Sequence, residues 1–522
     1  MAAGLVVLAC GRSELYGFDV ANGAAGNGGA APLGGSGGAF SGAPMIGGGR
    51  PGTAGTATAG SLGFAGASSG GKQPGQAGEP PHVAGAPNEA GAGGEGPVIE
   101  PATVVWGKRF GSVEVAQHAQ AIAVEPDGDF TITGWMFGFV DFGGGALSSP
   151  NQASAFLAKF DTDGEPLWSD VYAGSGPQYA RGIDVSDDGA LVVVGDFTGG
   201  LDFGGGTLQA QGGYDAFVAS FEADGSYRYA KRFGDQLAAS ASGVALGVAG
   251  DPVVAGHFTG SIDFGGGTLA ASGSSDPFIA GLQQQGAYGW AMRAGDEGLQ
   301  RANAVARLPT DDSVIVAGQF AGSLKLGACS SISSQGSDDV WVGWLTSSGE
   351  CLRAVRFGDD QSQVALAVAT AKTFNNAIGV VGELRGTVSF AGESTSAGDG
   401  EAGFLALYGV DQTTFTLSEI RLRSLEGTPR AIAFDGSDEL LVVGDYPGDS
   451  GRDVFVSRYD SAGKPFGTRR IGGSGDQYAH AVGTDAAGNI YVAGSFEGNM
   501  VLSTGTLESA GAEDIFVVKL AP

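Results

Sequence analysis

One apolar position constrains this chain more than any other. Ile122 returns as Ile183, Val244, Val305 and Leu366 at intervals of 61 residues, then as Ile432 and Val482 after 66 and 50. Around each copy the same phrase repeats. A short alternating strand with small neighbours leads into a second strand that ends at a glycine (Gly134, Gly195, Gly256, Gly318, Gly382, Gly444, Gly494). A third strand follows, marked by Phe156, Phe217, Phe278, Trp341, Phe404, Phe455 and Phe516. Aspartate and glycine punctuate the joints, as hairpin turns require.

A four-strand repeat of this length cannot bury both faces of its own sheet, so the copies must stack. Radial stacking of four-stranded antiparallel sheets predicts an all-β, seven-bladed β-propeller. The ends of the array agree with that reading. The last copy stops after its third strand, D-I-F-V-V-K-L, while the array opens with an orphan strand, V-V-W-G-K-R-F-G from Val104 to Gly111. The orphan matches the fourth strand of the second copy, Y-A-K-R-F-G. Pairing of the two ends in the last blade would close the ring and leave no long edge open.

Three segments follow. Residues 1–10 read as a lipoprotein-type signal: an apolar run meets Cys10 in V-L-A-C, which resembles the lipobox of bacterial lipoproteins, whose cysteine is acylated. Residues 11–101 are Gly, Ala, Ser, Pro and Thr with few large apolar side chains, a composition that predicts a disordered tether reaching about 50 Å as a flexible coil. Residues 102–522 are the propeller. It resembles the exported SBBP-repeat β-propeller proteins of Gram-negative bacteria, on D-G-D-F-T-I-T-G at Asp127 to Gly134, D-F-G-G-G at Asp141, Asp202 and Asp263, and D-A-F-V-A at Asp215. That resemblance implies an extracytoplasmic setting, at the outer membrane or cell surface, and no particular activity.

The net charge of −29 argues against a nucleic-acid partner, because phosphate backbones are held by clustered Lys and Arg. Membrane contact is expected only through the lipid on Cys10, and a monomer is expected. With Cys10 acylated, Cys329 and Cys351 remain in the fourth copy; an oxidising compartment would join them, two packed free thiols being the alternative. The four histidines lack zinc-ligand spacing, and no resident metal or cofactor is expected. Calcium at the D-x-D-G and D-F-G-G-G aspartates is the alternative to a plain turn role.

No catalytic constellation stands out. The position two residues before each counted apolar residue varies between copies: Gln120, Arg181, Ser242, Asn303, Val364, Arg430 and His480. At the start of the innermost strands, these residues are expected to ring the mouth of the propeller. They form either a ligand site, in which two Arg and a His would favour an anionic group, or a solvated rim under weak constraint. The expected function is a surface-anchored binding or scaffolding module, with an envelope or extracellular carbohydrate, peptide or protein as partner. A carbohydrate-directed hydrolase or lyase would need two facing acids, and the inner strands offer Asp184. A structural surface-layer component is the third reading.

Overall fold

Each copy forms one antiparallel sheet whose strands follow chain order from the innermost outward. In the first these are Gln117–Val124, Phe130–Asp141, Ala146–Phe160 and Pro166–Tyr172. The structure, a computed structural model, describes residues 102–522 apart from 114, 373–376, 391–392 and 411–416. The Cys10 segment and residues 11–101 lie outside the described residues. Seven four-stranded sheets make up a β-propeller-type array among the described residues. Successive innermost strands lie side by side, and Gln117–Val124 of the first sheet lies beside both Gln178–Val185 of the second and Gln477–Thr484 of the last. The outermost strand of that last sheet is the opening strand Val104–Phe110, antiparallel to Asp514–Leu520.

The innermost strands carry small buried residues such as Ala119, Ala121, Ala180, Ala241, Ala302 and Ala479, because backbones crowd there. A Cβ on Gly182 of the second sheet would lie 3.3 Å from Gly243 Cα of the third. Further out the sheets diverge, and Phe156, Phe217, Phe278 and Trp341 fill the space, all wholly buried. Burying such a side chain contributes about 1.5–3 kcal/mol.

Every innermost strand carries a β-bulge at the same place. In the first sheet Ala119 pairs with Gly134 and Ala121 with Thr133, so Gln120 has no partner opposite it. The other six register shifts fall at Arg181, Ser242, Asn303, Leu366, Arg430 and His480. The bulge also explains the recurring glycine of the second strand. A Cβ there would sit 1.9–2.1 Å from the carbonyl oxygen of His118, Tyr179 or its counterpart in each sheet, a distance no side chain tolerates. In the fifth copy the bulge residue is Leu366 and Val364 lies two positions earlier. The residue equivalent to Ile122 is therefore Val368, not Leu366. The even 61-residue spacing conceals a two-residue slip, because Ala-Val-Ala and Ala-Leu-Ala look alike in sequence.

The D-F-G-G-G excursions are turns built on one oxygen. Asp141 Oδ1 accepts from the Gly143 and Gly145 N–H at 2.7 and 3.0 Å, and Asp202 and Asp263 repeat the arrangement. Gly143 and Gly145 have φ of 106° and 118°, which explains the residue type.

Adjacent sheets are joined near their outer edges by a repeated contact. Trp168 of the first sheet donates its indole N–H to Ala223 O of the second at 3.1 Å, and Trp290 of the third to Ser347 O of the fourth at 2.9 Å. Trp106, on the opening strand, makes the corresponding bond to Thr162 O of the first sheet at 3.4 Å. The opening strand also supplies Arg109, which binds the buried Asp514 at 2.6 Å as Arg356 binds Asp339 in the fourth sheet. This pairing accounts for the match between K-R-F-G at Lys108 and at Lys231. Cys329 and Cys351 form a disulfide within the fourth sheet.

Two outcomes follow. A chain lacking residues 1–111 should expose the Asp514–Leu520 edge and elute as dimers or aggregates in size-exclusion chromatography with a lowered melting temperature; an unchanged monomer would show that the strand contributes nothing. Replacing Cys329 and Cys351 together by serine should lower the unfolding free energy in urea by roughly 3 kcal/mol.

Candidate functional site: the bulge rim

A bulge re-aims the side chain it carries, so seven bulges at one level collect seven side chains of six types on one rim. The residue two places earlier on the same strand and the residue it pairs with on the second strand lie at the same end of the sheet. In the first sheet these are His118 and Trp135; in the second, Tyr179 and Asp196; in the last, Tyr478 and Ser495. The third and sixth sheets contribute Ser240 with His257 and Thr428 with Asp445. Sequence reasoning picked out six of the seven bulge residues, with Val364 in place of Leu366, and missed the other two tiers. A signal existed: the residue after each recurring glycine is Trp135, Asp196, His257, Gln319, Glu383, Asp445 or Ser495, variable beside an unchanging neighbour.

The predicted residues differ in what they do. Gln120 and His480 are buried, and His480 Nε2 lies 3.1 Å from Ser495 Oγ. Arg181 grips Asp196 with two hydrogen bonds, 2.7 Å from Nε and 2.8 Å from Nη2. Arg430 and Arg452 share Asp445, whose side chain is fully buried. Asn303 donates to Ala365 O of the fifth sheet at 2.8 Å, and Ser242 is half-buried. Leu366 occupies the bulge of the fifth sheet, where Val364 was expected.

Rings form a connected arc across three sheets. Tyr478 and His480 of the last sheet have centroids 6.1 Å apart, and His480 lies 6.0 Å from His118 of the first. His118 stacks on Trp135 at 4.2 Å; Trp135 meets Tyr179 of the second sheet edge-on at 6.0 Å, and Tyr179 lies 6.1 Å from Tyr214. An arginine covers a tyrosine near each end: Arg430 lies 5.1 Å from the Tyr478 ring and Arg181 5.6 Å from that of Tyr179. His118 Nε2 approaches Glu513 at 2.5 Å.

Burial shifts His257, His480 and Tyr179. It lowers His257 to about 3, with Arg301 and Arg181 adding to the effect. Burial, then Arg430 and His118, hold His480 well below the usual imidazole range. Burial and the neighbouring Tyr214 and Asp196 raise Tyr179 to about 12, keeping its hydroxyl a donor. Asp184 is the one acid within the seven innermost strands. Burial raises it to about 8, against backbone N–H bonds from Leu246 and Val185, both 2.7 Å. With each oxygen engaged by backbone and no exposure, Asp184 ties the second sheet to the third. Among the described residues no three His, Cys, Asp or Glu side chains converge as metal ligands.

No family model and no curated protein matches the chain. Among solved structures it is similar to a chain of the mitotic checkpoint complex, at 9% identity and a TM-score of 0.45 over 84% of this chain and 98% of that one. It is also similar to polysaccharide lyase Uly1 (10%, 0.43, 78% and 90%) and to Sqt1 from Chaetomium thermophilum (10%, 0.40, 80% and 98%). Likeness at this level carries nothing about activity or partner.

Asp445→Ala removes the buried carboxylate that two guanidiniums share and should cost about 3 kcal/mol in urea unfolding, the lower end for a buried pair because Arg452 reaches solvent. The unfolded imidazole of His257 titrates near the ordinary 6.5 and the folded one near 3, so the unfolded chain binds the extra proton between them. Stability should therefore fall as pH drops from about 6.5 toward 3, with a shallower fall in His257→Gln; equal slopes would assign the loss elsewhere.

Proposed function

We propose that this protein is a surface-anchored binding module: a closed ring of seven blades, held to a bacterial envelope by an acyl group on Cys10, that presents the bulge rim to an extracellular partner. Closure is supported by the last-to-first junction, where Trp106 and the neighbouring innermost strands make the contacts found between consecutive sheets. The anchor is supported by V-L-A-C at Val7 to Cys10 and by the Gly-rich stretch behind it.

One observation carries the binding reading. Seven equivalent bulges hold six different residue types, arginine alone recurring, while the alanines and glycines beside them scarcely change. A scaffold repeated for stability alone has no physical need of unlike side chains at the one level where all sheets meet; a site assembled from several sheets does. The same face does not favour hydrolysis. Its buried carboxylates Asp196 and Asp445 are engaged by arginines, and Asp184 is held by backbone, so none of these three is poised as one of a catalytic pair.

The test is a thermal-shift screen of the full chain against envelope glycans and envelope protein fractions. A ligand at about 100 times its dissociation constant should add roughly 2.7 kcal/mol. That gain should vanish in a Tyr179→Ala variant and persist in Lys231→Ala, which alters an exposed outer strand. A shift indifferent to Tyr179→Ala would move the site off the rim, and a screen without any shift would favour a structural layer.

A further inference from the structure

The rim is not uniform around the ring, and its asymmetry bears on what it holds. Its aromatic half spans the last, first and second sheets, where Tyr478, His480, His118, Trp135, Tyr179 and Tyr214 form the connected arc. All but His480 are half-buried, so each ring retains access to solvent. The opposite half, from the third and fourth sheets, carries Ser240, Ser242, Asn303 and Gln319, uncharged groups that donate and accept hydrogen bonds, together with His257 and a single cation, Arg301.

The electrostatics narrow the class of ligand. Arg181 is matched by Asp196, and Arg430 with Arg452 by Asp445, beside which Asp476 accepts from the backbone N–H of Arg452 at 2.8 Å and from the Tyr478 hydroxyl at 3.3 Å. The buried imidazoles add no positive charge. The reason for expecting an anionic group therefore disappears once the pairings are seen, and the whole chain at −29 repels polyanions at long range. A ligand cation fares no better at the buried carboxylates Asp196 and Asp445, which arginines already engage. An extended peptide has no strand edge to join where the innermost strands crowd one another, as at Gly182 and Gly243.

Resting on the binding-module reading, we infer that the rim takes a neutral saccharide chain, whose sugar faces lie on the arc from Tyr478 to Tyr214 and whose hydroxyls bond to the polar half. A pyranose offers an apolar C–H face to an aromatic ring and a rim of hydroxyls that both donate and accept. Half-buried rings in a row, already packed on one another, lose little side-chain entropy on contact.

The experiment is isothermal titration of the full chain, with intrinsic tryptophan fluorescence in parallel. The probes are neutral hexasaccharides (β-1,4- and β-1,3-glucan, α-1,4-glucan, mannan, xylan), the acidic hexasaccharides of galacturonate and mannuronate, and the envelope protein fraction. At least one neutral hexasaccharide should bind. Trp135→Ala and Tyr478→Ala should each weaken it tenfold or more, while Trp135→Phe, which keeps a ring, should bind within about threefold of the parent. Trp168→Phe, at a sheet junction, should leave binding unchanged. Circular dichroism and melting temperature identify any variant that fails to fold, and Trp135→Phe then carries the comparison through its loss of the fluorescence change at retained affinity.

Binding of acidic chains alone would overturn the neutral class while leaving the rim as the site. Binding of an envelope protein alone, lost in Tyr478→Ala, would overturn the saccharide and keep the module reading. Saccharide binding insensitive to both alanine variants would overturn the arc. Silence of every probe would remove this inference and the binding-module reading together.

Discussion

The structure depends on one close contact, repeated seven times: a bulged innermost strand pressed against a glycine of its neighbour. The bulge brings a carbonyl oxygen, that of Tyr179 for example, to where a Cβ on Gly195 would stand. Any residue but glycine would force the two strands apart. Extra local twist from the bulge suits sheets that converge on an axis, and the freed residue turns out of the ladder. Folding geometry and rim chemistry thus have a common origin, since the defect that lets the strands crowd together is also what displays a side chain.

Much of this was legible in the sequence because its causes are local. Turn aspartates and glycines, alternating strands and the recurring aromatic are each dictated by hydrogen bonds or packing within one copy, and repetition amplifies them. Asp141 holding Gly143 and Gly145 is a sequence-local event, so D-F-G-G-G announces itself three times. The cysteine pair lay within one repeat and is joined. The fifth copy was misphased by two residues, because alanine-flanked positions look alike until strand pairing identifies Leu366 rather than Val364 as the rim residue.

The rim itself was only partly legible. Gln120, Arg181, Ser242, Asn303, Arg430 and His480 could be picked out as variable among constant neighbours, but their roles depend on partners far along the chain. Asp196 reaches Arg181 because two strands pair, and His118 meets His480 because the first and last copies adjoin. Those meetings turned two candidate anion-binding arginines into internally matched pairs and revealed the aromatic arc, whose members come from three repeats and four different positions within them. Charge in a sequence states what could attract a ligand; only pairing states what is left over.

The bulge contact is best tested by the urea unfolding free energy of Gly195→Ala beside that of Gly436→Ala, a surface glycine whose added Cβ would meet nothing within 4 Å. Clashing against Tyr179 O, Gly195→Ala should lose about 2 kcal/mol or more, in the range of overpacked interiors, with Gly436→Ala close to neutral. Equal, near-zero changes at both positions would contradict the claim that the bulge and its glycine hold the sheets at their spacing, and with it the origin assigned here to the rim.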